Sequence, residues 1–264
     1  MGAYAELRNA SVPAFRRACG LCSLREWCWP PEMEEGDLQR LHGIVRHTGV
    51  LPAGRHLFRT NDPFTALYAV RSGCIKSYTT DLQGHELVRD FHLPGELLGF
   101  DAVYPEPHHF NAMIIKAASL CIIPYRDITA LSWQIPGLQT RILALMSRDF
   151  SRQQLCVEGS DATQQIAIFL FDIEARLRRQ GYPEFEFDLP MSHEDIANYL
   201  RLAPETVSRV ISKLQQASAI DTDRAHVRLL DVARLGLIAQ GVHLENEIGP
   251  ALTNRIERSK AVES

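Results

Sequence analysis

The stretch from Met191 to Leu214, M-S-H-E-D-I-A-N-Y-L-R-L-A-P-E-T-V-S-R-V-I-S-K-L, leaves the chain few local choices. Ser192 is followed three residues later by Asp195, a variant of the capping box that starts a helix. That helix runs to about Leu200, and Arg201-Leu202-Ala203 makes a short turn. Pro204 then sits in the first position of a second helix, where its missing N–H does no harm. Ala197 is small where two helices must cross closely. Ile196, Leu200, Leu202, Val207, Val210, Ile211 and Leu214 form a compact apolar interior. Glu205, Thr206, Ser208, Arg209, Ser212 and Lys213 are left facing outward. An αα-corner with a polar outer face on its second helix suits the major groove of DNA. Arginine bonds a guanine edge in bidentate fashion and glutamate accepts from a cytosine amine, each contact discriminating by about 1–3 kcal/mol. The bland alternative is a surface ion pair between Glu205 and Arg209 on an ordinary helical hairpin. Ile220 to Leu229 reads as a following hairpin, a wing whose Arg224 and Arg228 are placed to meet phosphate. Arg201 stands where such turns favour glycine. Left-handed backbone costs a non-glycine residue on the order of 1 kcal/mol, so the turn is expected to differ slightly.

The rest of the chain changes character along its length. Residues 50–124 read as short strands, such as Leu67–Val70 and Leu120–Ile123, punctuated by turns at Gly54, Gly73, Gly84, Gly95 and Gly99. This pattern suits an antiparallel roll or barrel. A short helix is expected over 37–46. From Pro136, apolar residues fall at alternating threes and fours: Leu138, Ile142, Leu145, Met146 and Phe150. That spacing is either a helix packed on its own domain or a seam for a second copy. Asp149 lies at a seam-like position and would oppose self-pairing. Residues 163–180 form another helix with Ile166, Phe169, Leu170, Ile173 and Leu177 on one face.

Cys19, Cys22 and Cys28 give the spacing C-x2-C-x5-C. Three thiols in ten residues leave one over from any disulfide. Soft thiolates suit zinc or an iron–sulfur cluster, both of which take four ligands. The spacing alone leaves zinc, a cluster and a dithiol switch open. The candidates for a fourth ligand are Cys74, Cys121 and Cys156, with His42 and His47 less favoured.

Composition enters only as a limit. The net charge of −4 does not favour a nucleic-acid partner, but only the face presented to phosphate must be basic. No apolar run reaches the roughly 18 residues that a membrane span requires. Met1–Arg17 has no apolar core of a signal peptide, so a cytoplasmic chain is expected. There is no strand–C-x-x-C–helix context, glycine-rich phosphate loop or nucleophile motif, so an enzyme is not expected.

Together these residues resemble the oxygen-sensing FNR regulators, a branch of the cyclic-AMP-receptor family, over about residues 15–240. The carrying segments are C-G-L-C-S-L-R-E-W-C at 19–28, F-H-L-P-G-E-L-L-G-F-D-A at 91–102, L-C-I-I-P at 120–124 and P-E-T-V-S-R at 204–209. The resemblance implies an α+β fold: an N-terminal antiparallel β-roll like that of cyclic-nucleotide-binding domains, a long dimerisation helix and a C-terminal winged helix-turn-helix. The corresponding divisions are a cysteine-rich segment (1–36), the roll (37–134), the helix (135–161), the DNA-binding domain (162–245) and a polar tail (246–264). It implies a 4Fe–4S cluster on Cys19, Cys22, Cys28 and Cys121. It also implies base contacts from Glu205, Ser208 and Arg209 to a palindrome with TTGAT-like half-sites, and release of DNA when oxygen destroys the cluster. A homodimer paired through Leu138, Ile142, Leu145, Met146, Asp149 and Phe150 would follow, with RNA polymerase touching loops such as Asp81–Glu86. Trp27 departs from the smaller aliphatic residue expected beside Cys28. Ser23 and Trp27 are therefore expected to tune the exposure of the cluster to oxygen. Tyr104–Ala112 holds no arginine, so a cyclic nucleotide would lack its charged phosphate donor.

Overall fold

Two long strands organise the N-terminal half. The computed structural model describes residues 22, 24, 28–29, 33–104, 106–135, 137–152 and 160–242, with side chains described only to 148 in the third helix. β3 (Ala66–Thr80) lies between β4 (Glu86–His92) and β6 (Asn111–Pro124), antiparallel to both. β1 (Arg46–His47) and β2 (His56–Phe58) pair onto β6, and β5 (Leu97–Leu98) onto β3. Strands of this length must bend to close a roll, and three register shifts fall between Val70 and Ile75. Gly73 sits among them at φ +84°, and a Cβ there would lie 2.3 Å from the Ala117 carbonyl oxygen. The sequence pattern assigned Gly73 to a turn between strands. It is instead a bend inside one strand, where only glycine fits. Gly84, at φ +89°, does lie in the turn between β3 and β4. The roll interior is filled by Leu57, Val70, Ile75, Ile114 and Leu120, all fully buried.

A second core covers another side of the sheet. It joins Leu24, Cys28 and Trp29 to α1 (Glu35–Ile44), α2 (Tyr125–Ser132) and the start of α3 (Leu138–Arg152). α1 ends at Ile44 rather than 46 because Arg46 and His47 pair with Ile122 and Cys121. Within α3, Leu138 is wholly buried and Leu145 is 3% exposed, with Ile142 packed beside them. Leu138 and Leu145 therefore pack on the chain's own core, one of the two readings that the spacing allowed, and the half-buried Ile142 lies at its edge. A 3–4 spacing marks an apolar face but does not say which surface it meets. Met146 is half-buried and Leu143 points outward at 64% exposure. The side chains of Asp149 and Phe150 lie outside the described residues.

The third core belongs to the C-terminal half. α4 (Ala162–Arg178) starts at Asp161, whose carboxylate accepts from the Thr163 and Gln164 N–H groups. α5 (His193–Leu200), α6 (Pro204–Gln216) and α7 (Val232–Ala239) pack with it and with a three-stranded sheet. That sheet consists of β7 (Glu186–Asp188), β9 (His226–Leu229) and β8 (Ile220–Asp223) in that order. Cys74, Val88, Phe91 and Leu93 of the roll join the same core. The halves therefore meet along β4, whose outer edge would otherwise be unpaired.

The joint is polar and specific. The Asn198 amide donates to the Glu86 carbonyl and accepts from the Val88 N–H, both at 2.7 Å. Lys76 reaches Asp195 at 3.0 Å and Glu86 at 2.6 Å. Arg176, 5% exposed, grips Glu96 at 2.7 Å and 2.9 Å and also bonds Asp172 and the Phe91 carbonyl. Burial alone would lower the Arg176 pKa, but the facing Glu96, Asp90 and Asp172 outweigh it and hold it well above the usual value.

Candidate nucleic-acid interface and cysteine pocket

Local chemistry builds the nucleic-acid face. The Ser192 hydroxyl accepts from the Asp195 N–H at 3.0 Å and the Asp195 carboxylate accepts from the Ser192 N–H at 3.3 Å, which closes the capping box on α5. Arg201 then takes the left-handed conformation at φ 60° that was expected to be avoided. Its guanidinium donates to the Asn198 carbonyl at 3.2 Å and to the Val88 carbonyl at 3.5 Å. Those bonds offset the strain, so the turn keeps its glycine-like shape without glycine. Pro204 opens α6 as expected.

On α6, Val207, Val210, Ile211 and Leu214 are buried. Glu205, Ser208, Arg209, Ser212 and Lys213 are exposed on the other side, and Thr206 is half-buried. Arg209 donates to the Thr206 hydroxyl at 3.5 Å, so Thr206 braces the arginine. Ser208 lies 3.4 Å from His193 Nδ1 on α5. The Glu205–Arg209 ion pair weighed as the bland alternative is not among the described contacts. On the wing, Arg224 is exposed at the hairpin tip with φ 54°. Arg228 is half-exposed and pairs with Asp221 across the hairpin. His226 bridges Asp188 at 3.0 Å and Glu186 at 3.1 Å, and those carboxylates, Asp188 foremost, raise its pKa.

The cysteine pocket is assembled from distant pieces. Cys22, Cys28 and Cys121 line one largely apolar cavity together with Trp29, Val45 and His47. Cys121 comes from the end of β6, and Cys22 and Cys28 from the segment before α1. The Leu24 carbonyl accepts from the Cys28 N–H at 3.2 Å. Cys19, Cys156, Ser23 and Trp27 lie outside the described residues. Among the described residues, no three His, Cys, Asp or Glu side chains converge closely enough to hold a metal ion. The donor set is nonetheless the soft, thiol-rich kind that iron–sulfur centres need. Cys74, by contrast, is fully buried in the joint beside Arg176, and burial pushes its thiol pKa up. It behaves as a small core residue.

An acidic knot lies against the Tyr104–Ala112 segment. Asp101 accepts from His108 Nδ1 at 3.2 Å and from the His109 and Phe110 N–H groups at 2.9 Å and 3.3 Å. Burial would raise the Asp101 pKa, but these donors keep it below the usual value. The His108 ring stacks on Phe58 at 3.7 Å.

Residues 164–238 match the Crp-like helix-turn-helix domain and residues 49–132 the cyclic nucleotide-binding domain. The chain is 37% identical over 226 residues to the transcriptional activator protein anr of Pseudomonas aeruginosa, covering 84% of this chain and 93% of that one. It is 34% identical over 232 residues to the fumarate and nitrate reduction regulatory protein of Vibrio cholerae, covering 87% and 92%. The chain belongs to the CRP/FNR family. The structure of FixK2 from Bradyrhizobium japonicum shares the fold at a TM-score of 0.66 and 22% identity, over 74% of this chain and 97% of that one. As a CRP/FNR protein the chain is a transcription regulator, and its relatives are regulators rather than enzymes. Among the described residues no helix is long and apolar enough to cross a membrane.

For a CRP/FNR chain, the helix-turn-helix was legible residue by residue. The joint on β4 was not, because Lys76, Asn198 and Arg176 carry no pattern until the two halves are in contact. His47 was weighed only as a remote ligand, and its pairing opposite Cys121 emerges only from strand register. Trp29 is 5% exposed beside Cys28, and nothing in its sequence surroundings marks it out from Trp27.

Proposed function

We propose that this CRP/FNR protein is an oxygen-responsive regulator that binds a palindromic operator as a homodimer when it holds a 4Fe–4S cluster and lets go when oxygen destroys it. The observation that carries this reading is the meeting of Cys22 and Cys28 with Cys121 around one apolar cavity. Cys19, by the spacing of its motif, completes the four thiolates. A bound cluster supplies iron–sulfur bonds that oxygen breaks. Cys19, Cys22 and Cys28 tie the N-terminal segment down, and Cys121 anchors it to β6, against the core that Ile123 shares with α1, α2 and the start of α3. Ser23 and Trp27 flank the ligands and set solvent access. This tie favours pairing of two α3 helices, whose contact surface includes Met146 and the positions of Asp149 and Phe150. Shifting such an equilibrium from 1:99 to 99:1 takes about 5.5 kcal/mol.

Glu205, Ser208 and Arg209 read base edges in a TTGAT-like half-site, and Thr206, Ser212 and Lys213 support or meet the backbone. A dimer places two such helices about 34 Å apart, one turn of DNA. The loop Asp81–Glu86, with Leu82 fully exposed, is the surface offered to RNA polymerase at activated promoters. The divisions of the chain at 36, 134, 161 and 245 and a cytoplasmic location belong to the same proposal. A cyclic nucleotide is not the signal: Tyr104–Ala112 holds no arginine to meet a phosphodiester, and the carboxylate of Asp101 lies against that segment.

The deciding experiment is an absorption spectrum with iron and sulfide assays on anaerobically purified protein, followed by air. A broad band near 400 nm that bleaches in air, with about four irons per chain, is expected. A colourless protein without iron that still binds the palindrome overturns the cluster and moves sensing to zinc or a thiol switch.

A further inference from the structure

We infer that His47 is a positioning residue of the cysteine site: its imidazole Nδ1 donates a hydrogen bond to the Cys121 sulfur and so tunes how tightly, and at what potential, that sulfur serves iron. The inference rests on the cluster reading above and deepens it.

The geometry is set by the backbone. β1 is only two residues long, and its register places His47 directly opposite Cys121. Nδ1 lies 3.3 Å from Sγ, a normal separation for a bond to the large sulfur atom. His47 also lines the cavity shared with Cys22 and Cys28. The imidazole is held on two sides. Its ring stacks on His42 of α1 at 5.8 Å and 29°. The next residue, Thr48, locks the strand: its N–H donates to the Leu120 carbonyl at 2.9 Å, and its hydroxyl accepts from the Leu120 N–H at 2.9 Å. The strand pairing fixes the backbone from which the ring projects, and the His42 stack favours the rotamer that faces Cys121.

The consequence follows from sulfur chemistry. A thiolate ligand that accepts an N–H bond carries less charge toward iron. Such hydrogen bonds are one of the protein's levers on iron–sulfur potential, shifting it upward. A neutral imidazole with its proton on Nδ1 suffices, so no change of charge is involved. A higher potential makes the reduced centre harder for oxygen to oxidise. His47 therefore slows aerobic cluster loss, and it does so from outside the ligand set.

The test compares anaerobically purified full-length wild type with His47→Asn, His47→Gln and His47→Phe. Asparagine puts its amide nitrogen near the Nδ1 position, glutamine nearer Nε2, and phenylalanine keeps the ring without a donor. Iron and sulfide per chain, the midpoint potential and the rate of decay of the 400 nm band in air are measured for each. All four proteins are expected to hold equal iron. His47→Phe and His47→Gln should show a lower potential and about tenfold faster decay, the low end of what such supporting residues command. His47→Asn should stay near wild type. Equal potentials and rates in all four overturn the inference while leaving the cluster in place. Loss of iron from every variant overturns it too, by making His47 a ligand. Absence of iron from wild type overturns the cluster reading itself, and this inference with it.

Discussion

The recognition helix and the cysteine pocket solve the same problem, placing a few side chains accurately, at opposite ranges of chain separation. Glu205 to Lys213 lie within one helix, and the 3.6-residue period alone turns them outward while Val207, Val210 and Ile211 turn in. The pocket draws on the segment before α1, on β1 and on β6. No local rule holds it together. A one-residue slip of β1 against β6 would point His47 to the opposite face of the sheet. The helical site should therefore tolerate changes elsewhere, and the pocket should not.

Single substitutions sharpen this contrast. The largest effect is expected from Cys121→Ser, which removes the thiolate on β6. Bound iron after anaerobic purification should fall to background while the far-ultraviolet circular dichroism stays that of wild type. Retention of a full complement of iron would show that the pocket is less dependent on β6 than its geometry implies. Arg209→Ala is next. Loss of one base contact per half-site costs about 1–3 kcal/mol, so a dimer loses about 2–6 kcal/mol, a thirtyfold or larger drop in operator affinity at fixed salt. Its iron content should not move. Fluorescence anisotropy with a TTGAT palindrome and a scrambled duplex measures it, and an equal loss on both duplexes would assign Arg209 to phosphate instead.

Asn198→Ala probes the joint between the two regions. It deletes two hydrogen bonds to β4 and is expected to cost about 1–3 kcal/mol in urea unfolding. An unchanged midpoint would mean that the two halves dock without this clamp. The smallest effect concerns the wing. Asp188 and Glu186 raise the pKa of His226 above 6.5. The protonated pair is then fully formed below the ordinary histidine pKa and is lost as pH rises through the raised value. Amide exchange in β7 and β9 should quicken across that window relative to neighbouring strands, and His226→Asn should abolish the pH dependence.

The capping box, the proline at the head of α6, the buried faces of α4 and α6 and the wing were all readable, because each is encoded by neighbours within a few residues. Tertiary contacts decide which surface a pattern meets, and the order of residues does not show them. Gly73 bends a strand rather than ending it. Leu138 and Leu145 serve their own core. Arg201 accepts left-handed backbone because the Val88 carbonyl waits across the joint. Arg228 is held by Asp221. The thiol spacing announced a metal-type site, but the contact between His47 and Cys121 belongs to sheet register and leaves no trace in the order of residues.

The clamp on β4 also bears on how the molecule comes apart. Asn198 completes the hydrogen bonding of the edge of β4, and Phe91 lies 5.4 Å from Tyr199 and 6.3 Å from Phe169, its ring shared by both halves. Melting the helix-turn-helix would strip the outermost strand of the roll of its cover, and melting the roll would leave Arg176 without Glu96. The protein should therefore absorb heat in a single calorimetric peak, and its DNA-reading half should not survive as a separately folded fragment.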